Sequence, residues 1–84
     1  MRDYNNPEYK KFRTDVKSRD NRQCRWPNCN CRKKLQVHHI LPWSKYPYLR
    51  FNPINGITLC KKHHKDIRGK ELFYVKLFLD IIKQ

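Results

Sequence analysis

Eighty-four residues make one small domain, 1–84, too short for apolar burial alone to hold it comfortably, so a further staple is expected. Twenty Lys and Arg stand against seven Asp and Glu, a formal charge of +13 that asks for a polyanionic partner, with an RNA-binding tail, a membrane-surface patch or a solvated face as the other readings of so basic a chain. No carboxylate lies between Asn21 and Lys65, which excludes from that window a two-metal centre built on Asp and Glu and leaves imidazole and thiolate as its metal ligands.

Asn6-Pro7-Glu8 reads as a helix start: Asn caps, Pro fits the first turn, and Glu faces the positive end of the dipole. Tyr9, Phe12 and Val16 follow at helical spacing, which predicts a helix over 7–19 with that stripe on the core. Lys10, Lys11, Arg13 and Lys17 line its other faces, toward phosphate or toward water. Met1 to Phe12 holds no apolar run of signal length, so a cytoplasmic setting is expected, and there cysteines grouped with histidines are read as metal ligands rather than disulfides.

Residues 21–34 carry no hydrophobic period but three of the four cysteines. Cys24-Arg-Trp-Pro-Asn-Cys29 looks like a zinc knuckle with Pro27 and Asn28 shaping its turn, and Cys31 follows. Such a pair grips one side of a zinc ion and needs ligands from elsewhere.

Leu35-Gln-Val-His-His-Ile-Leu-Pro42 alternates branched apolar residues and reads as a short strand stopped by proline. Successive strand residues point to opposite faces, so His38 and His39 are expected to hold different roles. The loop to Pro53 mixes proline with Trp43, Tyr46, Tyr48 and Phe51 around Lys45 and Arg50, a composition that suits contact with a sugar-phosphate backbone or aromatic packing on the core.

Asn55-Gly56 signals a turn and Ile57-Thr58-Leu59 a second strand, pairing with the first as an antiparallel hairpin. Cys60 to Gly69 then reads as a helix that glycine can end. Cys60 and His63, three apart at its start, complete a four-ligand zinc set with Cys24 and Cys29, although helical geometry also allows Cys60 to pair with His64. The last segment, 70–83, is expected to be a C-terminal helix. Its stripe of Leu72, Val75, Leu79 and Ile82 is flanked by Phe73, Leu77, Phe78 and Ile81, wide enough to pack on the domain and to offer a face to a second copy or a partner protein.

The joint order of these features resembles the HNH endonuclease family. The residues that carry the resemblance are Arg19-Asp20, Cys24, Cys29, Val37-His38-His39-Ile40-Leu41-Pro42, Asn55-Gly-Ile-Thr-Leu-Cys60 and His63-His64. It implies an α+β ββα-metal (His-Me finger) fold over 35–68, with an N-terminal helix, a zinc knuckle and a C-terminal helix around it. It further implies that His38 and His64 hold a catalytic divalent cation, that His39 is the general base, and that Asn55 fixes the loop positioning His39 through hydrogen bonds to backbone. The reaction implied is hydrolysis of DNA phosphodiester bonds, with Arg25, Arg32, Lys33, Lys34, Lys45, Arg50, Lys65 and Arg68 as phosphate contacts.

Three departures from the family pattern matter. His63 stands where a fourth zinc cysteine is usual, and Cys3His is an accepted zinc set. Cys31 is surplus and is an alternative to Cys29. Arg68 stands where some members carry a third metal-binding histidine, which favours an exchangeable Mg²⁺ or Mn²⁺ over a tightly held zinc at the catalytic site. A small nuclease of this kind suits a phage acting in a bacterial cytoplasm. A zinc-stabilised nucleic-acid binding module without catalysis, or a subunit active only with a partner, would share the charge and the cysteines but has no use for His39, Asn55 and His64 together.

Overall fold

The computed structural model describes residues 6–42 and 44–83; Trp43 of the central loop lies outside the described residues. Helix α1 spans Pro7–Arg19, with the Asn6 side-chain oxygen accepting from the Glu8 amide at 2.8 Å and Lys17 and Arg19 in the last turn. Its buried residues are Tyr9, Phe12 and Val16, the stripe read from the sequence.

Strands β1 (Leu35–His39) and β2 (Gly56–Cys60) pair antiparallel in a register running from Leu35 opposite Cys60 to His39 opposite Gly56. Helix α2, Lys61–Asp66, follows β2 directly, giving the strand–strand–helix order. Every residue of β2 is buried because the sheet is covered on both faces. On one face α1 lies so close that a Cβ on Gly56 would stand 2.7 Å from Val16 Cγ2 and 2.8 Å from Phe12 Cζ. On the other, Ile57 and Leu59 pack with Ile67, which caps α2, and with Phe78. The fold is a small α+β one.

The C-terminal segment departs from the single helix expected over 70–83. Glu71–Tyr74 forms a 3-10 turn, and only Val75–Ile82 is α-helix, α3. The tighter winding of a 3-10 turn swings residues off an α-helical stripe. Leu72 and Phe73 therefore stand 67% and 82% exposed, and the residue that reaches the core is Phe78, not Leu72.

The sheet is tied to its surroundings by one buried carboxylate. Asp20 Oδ1 accepts from Arg19 Nε at 2.9 Å and from Arg25 at 2.7 Å, and Oδ2 accepts from Arg19 at 2.9 Å and from the Thr58 amide at 3.0 Å. Arg19 also donates to the Pro53 and Gly56 carbonyls, each at 2.7 Å, and so holds the turn that carries Asn55. Arg25 donates onward to the Ile81 carbonyl at 2.8 Å, tying α3 to the network. Asp20→Ala removes the shared partner of two half-buried guanidiniums and of a buried amide, and is expected to cost about 3–5 kcal/mol. Urea unfolding measures it.

Candidate active site

Two groups of histidines and cysteines lie close together in the fold. In the first, one ligand atom from each of Cys24, Cys29, Cys60 and His63 comes within 4.8 Å of all the others. The Cys24-to-Cys29 turn closes through Cys29 N–H on the Trp26 carbonyl at 2.9 Å, with Asn28 in the left-handed region at φ 64°, a conformation asparagine tolerates. Cys60 caps α2, which sets His63 one turn on. His63 Nδ1 stands 3.7 Å from Cys24 Sγ and 3.3 Å from Cys60 Sγ. A tetrahedral zinc would separate a sulfur and a nitrogen ligand by about 3.5 Å, so the donor set fits that ion.

Trp26 stacks on the His63 ring at 5.0 Å and fixes its plane. Cys31 lies outside the cluster, its thiol directed to the Lys33 carbonyl, and Cys29 takes the place for which Cys31 was the alternative. Burial pushes the Cys24 thiol up to about 12. Burial also raises Cys60, but the amide of His63, the Cys24 and Cys29 thiols and the Lys62 amide outweigh it and hold Cys60 below the ordinary thiol value. A metal bound here displaces protons, so binding weakens as pH falls.

The second group surrounds β1. Strand alternation sends His38 toward α2 and α3, where its ring lies 5.5 Å from that of His64 and 5.6 Å from Phe78. His39 turns to the α1 face, stacked on Phe12 at 4.7 Å and edge-on to Tyr9 at 6.2 Å. Both are buried, at 7% and 8% exposure. Beyond the strand end the two faces open on one cavity of about 520 Å³, lined by His38, His39 and His64 together with Ser44, Arg68 and Glu71. Two imidazoles sharing a tetrahedral or octahedral ion would place their ring centres about 5 Å apart, and the His38–His64 spacing fits.

Backbone and side-chain acceptors orient these rings. His39 Nε2 lies 2.9 Å from the Arg50 carbonyl. A carbonyl only accepts, so Nε2 carries the ring proton and Nδ1 the basic lone pair. His64 Nδ1 donates a short hydrogen bond to Gln36 Oε1, another acceptor, which places the lone pair of that ring on Nε2. Asn55 clamps the central loop: its Oδ1 accepts from Leu41 N at 2.7 Å, and its Nδ2 donates to Leu41 O at 3.1 Å and to Leu49 O at 3.5 Å. Its own carbonyl accepts from Ile40 N at 2.8 Å. The segment between His39 and Arg50 is thus closed at both ends by one side chain.

The basic residues divide. Lys65 and Arg68 line a second, smaller concavity with Gln36, Lys61 and His64, on the flank of the histidine cavity. Lys33, Lys34 and Lys45 are exposed. Arg32 is exposed but hydrogen-bonded to Asn21 O and Gln23. Arg50 lies over the Phe51 ring at 5.7 Å. Arg25, expected at phosphate, is directed inward to Asp20 and Ile81 instead. Gln36 and Glu71 were not read from the sequence as site residues. Alternation along β1 puts Gln36 on the face of His38, a usable signal; Glu71 reaches the cavity only through the chain reversal after α2.

A family model described as HNH endonuclease matches residues 16–73, more than half of the chain. No curated protein and no solved structure matches it.

Proposed function

The chain belongs to the HNH endonuclease family, and from that premise we propose that it is a metal-dependent endonuclease that hydrolyses DNA phosphodiester bonds with His39 as general base. The observation that carries this reading is that His38, His39 and His64, from opposite faces of one strand and from the following helix, open on one cavity. His39 takes the proton from the attacking water at Nδ1, while its Nε2–H on the Arg50 carbonyl holds the ring in place. Asn55, through Leu41 at the strand end and the Leu49 carbonyl, ties the strand end to the residue preceding Arg50. His38 and His64 are the cation ligands. A Mg²⁺ or Mn²⁺ ion held by these two rings would supply positive charge to offset the phosphate and the leaving 3′ oxygen.

Water adds to phosphorus, the bond to the 3′ oxygen breaks, and the ends are 3′-hydroxyl and 5′-phosphate. DNA ligase should therefore reseal nicked product without prior kinase treatment; ends that need phosphorylation or phosphatase contradict this polarity. The exposed lysines with Lys65 and Arg68 support a phosphate-backbone surface beside the cavity, and the Cys24, Cys29, Cys60 and His63 set is read as the structural zinc site.

Gln36 is a positioning residue for His64 in this scheme. Gln36→Leu should weaken Mn²⁺ binding by roughly 10–100-fold, and Gln36→Glu, a stronger acceptor, should restore or strengthen it. Both are measured by calorimetry on zinc-loaded protein. Equal affinities in the three proteins would remove Gln36 from the site.

A further inference from the structure

Among the described residues, Glu71 is the sole carboxylate lining the histidine cavity. It arrives there by a specific turn. After α2 the chain passes through Gly69 at φ 80°, in the left-handed region, and Lys70 N–H returns to the Ile67 carbonyl at 2.8 Å. The 3-10 turn that begins at Glu71 then brings the acid back toward His38 and His64. No Lys or Arg among the described residues forms an ion pair with it, although Arg68 lines the same cavity.

We propose that Glu71 is the anionic member of the cation site, joining His38 and His64 around the divalent ion and making a pair of neutral imidazoles into a site that a hard cation accepts. This rests on the reading of His38 and His64 as cation ligands and adds to it. Two imidazoles alone suit zinc, copper or nickel; Mg²⁺ and Mn²⁺ take oxygen, and carboxylates above all. Arg68 lines the same cavity and brings positive charge to its wall, which makes a compensating anion more necessary. Glu71 is also held ready for this role. Its own amide holds its carboxyl below the usual carboxylate range against the opposing effect of burial, with help from the Gly69 amide.

The test is Mn²⁺ binding to zinc-loaded protein, followed by the electron paramagnetic resonance signal of free Mn²⁺, in wild type, Glu71→Gln, Glu71→Lys and His64→Ala. Zinc content and far-ultraviolet circular dichroism serve as fold controls. Glu71→Gln is expected to weaken binding by roughly 10-fold or more and Glu71→Lys further still, with Glu71→Gln also lowering the preference for Mn²⁺ over Ni²⁺. Wild-type affinity in both Glu71 variants, with affinity lost in His64→Ala, overturns the role of Glu71 and leaves the two-histidine site standing. Binding that His64→Ala does not weaken overturns the site itself and Glu71 with it.

Discussion

His39→Ala is expected to lose DNA cleavage by at least about 10²-fold, up to the roughly 10⁴-fold that a positioned general base supplies. Zinc content and DNA affinity should stay near those of the wild type, since His39 is not a member of the cysteine cluster and its ring is buried rather than on the surface. What it does touch is the α1 face, where it stacks on Phe12. Alanine there leaves a gap and some loss of stability, so His39→Gln is the companion variant: it fills the space and keeps an N–H for the Arg50 carbonyl, but has no nitrogen that can take a proton. Both variants should be inactive at a temperature where both are folded. Cleavage by His39→Gln at the wild-type rate would show that the base lies elsewhere.

The second large effect is on folding. Cys24→Ser or Cys60→Ser should lower stability by several kcal/mol or prevent folding, because in a chain of this size metal-binding energy is largely folding energy. The cluster joins the knuckle to the start of α2 and so fixes α2 against β2; losing it also releases the helix that carries His64. Folded wild-type protein should contain about one zinc per chain. Under the proposed function, mild chelation should remove the cation at His38 and His64 first and stop cleavage reversibly, while removal of a metal from the cysteine cluster should unfold the chain. A folded protein with less than half an equivalent of zinc would contradict the assignment.

Much of this architecture is written in local patterns. The capping Asn6-Pro7-Glu8 marks the start of α1 and the Tyr9, Phe12, Val16 stripe its buried face, and alternation at His38-His39 places two imidazoles on opposite faces of β1. The spacing of Cys24, Cys29, Cys60 and His63 is legible because four ligands that can share one metal ion must follow a narrow set of spacings, and the fold brings these four together. What the chain does not announce depends on contacts between distant segments. Arg25 falls in a basic window and looks like a phosphate contact, yet the buried Asp20 claims it, and nothing local says that Asp20 is buried. The apolar run after Gly69 suits an α-helix, but its first turn winds as 3-10, which exposes Leu72 and Phe73 and delivers Glu71 to the cavity. Gln36 is an ordinary strand residue until His64 comes round to meet it.

The most direct test of the central claim is incubation of supercoiled plasmid with the zinc-loaded protein and either Mg²⁺ or Mn²⁺, with EDTA as control. Conversion to open-circular or linear DNA that needs the added cation and stops with EDTA is the predicted result. Plasmid that stays supercoiled with both cations, in protein that demonstrably binds it, would contradict a hydrolytic role for the three histidines and leave a nucleic-acid binding module in its place.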